Sequence, residues 1–111
     1  MKDYWLVIDP MNLSIEICFP EWKMGAINSC LATIHGSQQE EMLRRLREVK
    51  SDTPPFTLSY EYFTMEVHPH AILCEFHMFE EPVKFFLWTK VFVEALGEYR
   101  EELKKLIASI R

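Results

Sequence analysis

Seven large apolar side chains, Trp88, Phe92, Leu96, Tyr99, Leu103, Leu106 and Ile110, recur at steps of four, four, three, four, three and four. This spacing lays them along one stripe of a single helix. Glu94, Glu98, Glu101 and Lys105 fall away from the stripe and can face water. A long one-sided helix must lie on another layer, so the segment commits the chain to a layered fold. A second apolar row, Val83, Leu87, Val91 and Ala95, runs beside the first and is available to a partner. Gly97 sits inside this helix, where it costs roughly 1 kcal/mol relative to Ala. Close approach of the sheet or a neighbouring helix is the expected reason.

Upstream, Tyr4–Ile8 is a short β-prone run ended by the turn signal Asp9-Pro10. Leu13, Ile15, Ile17 and Phe19 then alternate with Ser14, Glu16 and Cys18, which reads as the second strand of an antiparallel hairpin. From Glu21 to His35, Met24, Ile27, Leu31 and Ile34 fall at helical spacing, and Gly36 is placed to close that helix in a left-handed conformation. Ser37 to Glu40 fits a capping box, behind which Met42, Leu43, Leu46 and Val49 form another stripe. The linker Ser51-Asp52-Thr53-Pro54-Pro55 is too short to divide domains.

Phe56 to Val67 reads as a strand whose apolar parity changes at Phe63, Met65 and Val67, predicting a bulge or a strand covered on both faces. His68-Pro69-His70 is the expected turn, Ala71 to Phe79 the return strand, and Glu80-Glu81-Pro82 the opening of the last helix. The order ββααββα predicts an α+β fold. Two hairpins join into one four-stranded antiparallel sheet with the helices packed on it, in a single domain over residues 1–111.

Composition narrows the function classes. The aromatic fraction is 14%, with eight Phe, enough for a compact core or an aromatic contact surface. The formal net charge of −5 repels phosphate backbones, so nucleic acid is not an expected ligand, and a basic protein partner is. Cys18, Cys30 and Cys74 are odd in number and scattered, unlike a disulfide framework. Met1 to Trp5 lacks the apolar core of a signal peptide, and no run approaches the roughly 18 apolar residues of a membrane span. A cytoplasmic location without membrane contact is expected.

No catalytic or nucleotide-binding motif is present, and no cofactor is expected. His68, His70, Cys74 and His77 are residue types that bind zinc. However, His68 and His70 flank a turn, Cys74 sits among apolar neighbours, and His77 points to the opposite face. Exposed turn histidines and a core cysteine therefore outweigh a metal or enzymatic site. Cys30 and His35, five residues apart, fall on different sides of a helix and make no nucleophile–base pair. Arg44, Arg45, Arg47 and Lys50 are read as a solvated helix face. Tyr60, Tyr62 and Phe63 lack the flanking cations of a base-stacking sheet, having Glu61 and Glu66 as neighbours.

The segment from Phe86-Leu87-Trp88 through Glu101-Glu102-Leu103, following the strand pair Phe56–Phe79, resembles the hairpin-then-helix ending of several small bacterial immunity proteins. These neutralise toxins of contact-dependent inhibition and related systems. The likeness is one of layout and size, over about half the chain. It implies a protein-binding inhibitor that is not an enzyme, occluding the basic active site of a cognate toxin domain, a nuclease in many cases. On that implication the partner-binding residues are Glu61, Glu66 and Glu75, with Tyr60 and Tyr62 as aromatic anchors. A homo-oligomeric or multi-subunit interaction module is the alternative. A small metal-binding protein or enzyme using His68, His70 and Cys74 stands behind both.

Overall fold

The computed structural model describes residues 3–110; Met1, Lys2 and Arg111, and with them the first two positions of the N-terminal stretch, lie outside the described residues. The chain is α+β, and its four-stranded sheet is antiparallel throughout. A hairpin of β1 (Trp5–Asp9) and β2 (Ser14–Cys18) comes first, then a short 3₁₀ helix (Trp22–Ala26), α1 (Ile27–Ala32) and α2 (Gly36–Arg47). Strands β3 (Phe56–Ser59), β4 (Phe63–Val67), β5 (Ala71–Phe76) and β6 (Val83–Trp88) follow, and α3 (Thr89–Ser109) ends the chain.

Three expectations about the strands change. The first hairpin does not join the larger sheet: β1 and β2 pair only with each other, while β3-β4-β5-β6 form the four-stranded sheet by themselves. The parity change in Phe56–Val67 is a turn, not a bulge. Tyr60 N donates to Phe63 O at 2.8 Å, and β4 folds back on β3 with Leu58 opposite Met65. Finally, Val83–Trp88 is a strand, and α3 opens at Thr89 rather than beside Pro82. The run Val-Lys-Phe-Phe-Leu-Trp is rich in aromatic and apolar residues, and it pairs along one side with β5 while Phe85 and Leu87 are buried. The row Val83, Leu87, Val91 and Ala95 is therefore not a helical face. Leu87 and Ala95 are fully buried from different elements.

Local chemistry explains the smaller joints. Asp9 accepts hydrogen bonds from the backbone N–H groups of Met11 and Asn12 and from the Asn12 amide, closing the first hairpin as the Asp9-Pro10 signal predicts. Leu13 completes that turn at φ 52°, the left-handed region. The helix predicted from Glu21 splits into the 3₁₀ turn and α1, keeping Met24, Ile27 and Leu31 buried. Gly36 does not close that helix and has no positive φ; it is the first residue of α2. The N-cap is His35 rather than Ser37, and its N–H donates to Gln38 Oε1 at 2.9 Å. His68 N donates to Ala71 O at 2.9 Å, making the expected turn between β4 and β5.

One connected core joins the layers. Phe63, Met65, Val67, Ile72, Cys74, Phe76, Phe85 and Leu87 line the inner face of the larger sheet, against Met42, Leu46, Phe92 and Leu96 of the helices. The long stripe is buried only in its first half. Phe92 and Leu96 are fully covered, Tyr99, Leu103 and Leu106 half-covered, and Ile110 is 59% exposed. Trp88 precedes the helix and lies on the surface.

Polar groups seat the helices. Thr89 Oγ1 donates to His68 O at 2.9 Å and Thr89 N to His70 O at 3.1 Å, fastening the start of α3 to the β4–β5 turn. Arg100, with a side chain only 11% exposed, bonds Glu40 at 2.9 Å and Gln39 at 2.6 Å and lies against Gly36. At the other end of α2, Arg47 Nη2 stands 3.0 Å from where a Cβ on Gly97 would be. The helix-interior glycine thus faces a neighbouring helix, as expected. Asn28 caps the outer edge of β2, accepting from Ile17 N at 2.9 Å and donating to Ile17 O at 2.8 Å.

Asn28→Ala leaves both Ile17 backbone groups without these partners and should cost about 2 kcal/mol, read as a lower urea midpoint at unchanged slope. Gly97→Ala should go the other way. The Arg47 side chain is flexible and yields a few tenths of an ångström, so the variant gains up to about 1 kcal/mol of helix propensity.

Candidate functional site

Strand parity sorts the larger sheet into a covered and an uncovered face. The uncovered face carries two cross-strand rows, Ser59-Thr64-Glu75-Lys84 and Thr57-Glu66-Leu73-Phe86, with Ala71 and Trp88 beyond them. Leu73 is 50% exposed and Trp88 48%, and Glu66 and Lys84 are open to solvent. Phe86 and Trp88 meet edge to face with ring centroids 5.2 Å apart. Thr57, Thr64, Glu66, Leu73, Glu75, Lys84 and Phe86 border a shallow concavity of about 560 Å³.

Two of the acids expected from sequence therefore share this face. Glu66 lies opposite Leu73, and Glu75 lies opposite Thr64, one diagonal step away. Each has a histidine beside it: His68 Nε2 stands 3.3 Å from Glu66 Oε2, and His77 Nδ1 is 3.8 Å from Glu75 Oε1. Glu61 is exposed in the β3–β4 turn, at the rim of the sheet. The two tyrosines lie elsewhere. Tyr60 and Tyr62 are half-buried and pack against the core, Tyr60 stacked on Phe63 at 4.6 Å. The aromatic groups that share a face with Glu66 and Glu75 are instead Phe86 and Trp88. A strand assignment for Val83–Trp88 would have exposed them, because their parity is opposite to that of buried Phe85 and Leu87.

A second concavity, of about 830 Å³, runs between β1 and α3 and is bordered by Trp5, Leu6, Ile8, Glu94, Glu98, Glu101 and Glu102 among others. Tyr4 donates to Glu94 at 3.4 Å at its margin, and burial, with Glu98 and Glu94 close by, raises the phenol well above its ordinary range. The Tyr4 hydroxyl stays protonated and serves as a donor.

The zinc-type residues do not converge. Cys74 lies on the inner face of the sheet, whereas His77 is exposed beside Glu75. No group of three or more His, Cys, Asp or Glu side chains able to hold a metal ion occurs among the described residues. Burial pushes the Cys30 thiol up to about 12 and that of Cys74 further still. Neither supplies a thiolate nucleophile at neutral pH. Among the described residues no helix is long and apolar enough to cross a membrane. Compared with known proteins, the chain matches no family model, no curated protein and no solved structure.

Brief alkylation with iodoacetamide at pH 8 should modify half-buried Cys18 first. Cys30 and Cys74, enclosed in the core, should resist until denaturant opens it. Peptide mass analysis across a urea series reads the order directly.

Proposed function

We propose that this chain is a protein-binding inhibitor of the immunity type, whose uncovered sheet face docks a basic toxin domain and occludes its active site. The observation that carries this reading is the juxtaposition on one open face of Leu73, Phe86 and Trp88 with Glu66 and Glu75. An apolar patch rimmed by charge is the usual anatomy of a protein interface: aromatic and apolar anchors at the centre slow release, and surrounding charges steer encounter. The net charge of −5 adds a long-range field of the matching sign. A nuclease is the toxin class this charge suits, because its own active site must attract phosphate. The inhibitor works without cofactor or catalysis of its own, in the cytoplasm where such a toxin would act.

Area sets a further requirement. Four strands about 4.8 Å apart and about 18 Å long offer roughly 350 Å² in projection, against about 800 Å² per partner in a standard complex. The rim must therefore take part, and Glu61 in the β3–β4 turn is placed to do so. Tyr60 and Tyr62 support that rim from below as packing groups and do not anchor the partner.

Affinity capture from the native host tests the reading. The wild-type chain should retain a small basic domain at one-to-one stoichiometry. Glu66→Lys/Glu75→Lys should weaken that complex by about tenfold or more, mainly by slowing association, and Phe86→Ala should weaken it by about tenfold through faster release. Recovery of the chain alone, or equal binding by all three proteins, would remove this face from the interaction.

A further inference from the structure

The hairpin leaves the outer edge of β1 open. β1 is hydrogen-bonded to β2 only, and Asn28 occupies the backbone of Ile17 on the far side of β2. The groove of about 830 Å³ is bordered by Trp5, Leu6 and Ile8 of β1 and by no residue of β2, so it follows the unpaired side of β1. Exposed strand edges are normally blunted by Lys, Pro or a bulge, because their free N–H and C=O groups template pairing with another chain. The β1 sequence Trp-Leu-Val-Ile-Asp has none of these guards, and Trp5, Val7 and Ile8 are 49%, 46% and 42% exposed.

The opposite wall is acidic. Glu94, Glu98, Glu101 and Glu102 border the groove from α3, against the single cation Lys105 on that side. Glu101 and Glu102 have Lys104 and Lys105 at 3.7 and 3.2 Å, but Glu94 and Glu98 have no ion-pair partner among the described residues. The groove already seats one guanidinium, that of Arg47, against α3 at Gly97.

We propose that this groove docks an extended basic segment of a partner protein, which adds as a third strand to β1 and lays Lys or Arg side chains along the Glu94–Glu102 side of α3. Spacing supports the match. Glu94 to Glu102 covers about 12 Å of helix, and three same-sided residues of an extended strand cover about 13 Å, so alternate cations meet successive turns of acids. Backbone pairing supplies the affinity of strand addition and the alternate side chains its selectivity. A second copy of this chain fits poorly as the occupant, because its own β1 carries Asp9 and no cation. The site is separate from the uncovered sheet face, and the two stand or fall independently.

The test is a titration of the isotope-labelled full chain with a capped peptide, Lys-Val-Lys-Val-Lys, against its acidic counterpart, Glu-Val-Glu-Val-Glu. The basic peptide should shift amide resonances of Trp5–Asp9 and of α3 residues 93–105, and the acidic one should not. Glu98→Lys should weaken binding about fivefold, the milder Glu98→Gln by less, and Glu66→Lys should leave it unchanged. Silence along β1 at millimolar peptide would overturn the proposal, as would shifts confined to β5 and β6 or equal binding of the acidic peptide. Dimers sealed through β1 in sedimentation would overturn it in favour of a second copy.

Discussion

Burial of Phe92, Ala95 and Leu96 in α3 is the contact on which both sheets depend. A two-stranded hairpin is at best marginally stable by itself in water. The β1–β2 pair survives because Ile15 and Ile17 are buried on its inner side, where β2 packs against α3. The four-stranded sheet meets the same helix through β6, which also packs against the 3₁₀ helix, and Phe85 and Leu87 share one core with Phe92 and Leu96. Each such side chain contributes about 1.5–3 kcal/mol when fully buried, so α3 is the common floor of two sheets that share no backbone hydrogen bond.

Charged side chains then lock the helix layer in place. Arg100 bridges α3 to Glu40 and Gln39, and Gln39 passes the connection on to Leu31 O at 3.0 Å, the end of α1. Arg100 also holds the Glu40 carboxyl below the ordinary carboxylate range. A largely covered guanidinium with satisfied partners orders the packing more than it adds net stability. By contrast, the exposed pairs of Arg44 with Glu41 and Glu48 sit on one helix, where solvent screens them and they contribute little.

The distribution of uncovered surface follows from this arrangement. Because the helices and the hairpin gather on one side of the larger sheet, no other described element covers its far face. Leu73, Phe86 and Trp88 remain there beside Glu66 and Glu75. Because α3 packs over β2, the far edge of β1 overhangs the acidic side of the helix and leaves a groove. Both surfaces combine apolar area with negative charge. They differ in shape: one is an open sheet face, the other a groove between a strand edge and a helix.

The sequence by itself determined element type wherever one period ran unbroken. Helix α2, the body of α3, the first hairpin and the β4–β5 turn at His68-Pro69-His70 were all legible from spacing and turn chemistry. So was the negative net charge, which needs only composition. What failed was local where two periods compete. Val83–Trp88 satisfies helical spacing through Val83 and Leu87 and strand alternation through Phe85 and Leu87, and only pairing with β5 decides between them. The parity change at Phe63 is equally consistent with a bulge and a tight turn until β4 folds back on β3. Only the tertiary structure decided which strands share a sheet, and hence that Phe86 and Trp88, not Tyr60 and Tyr62, stand beside Glu66 and Glu75. Alternation tells one face of a strand from the other. Which face stays wet depends on long-range packing that no local pattern encodes.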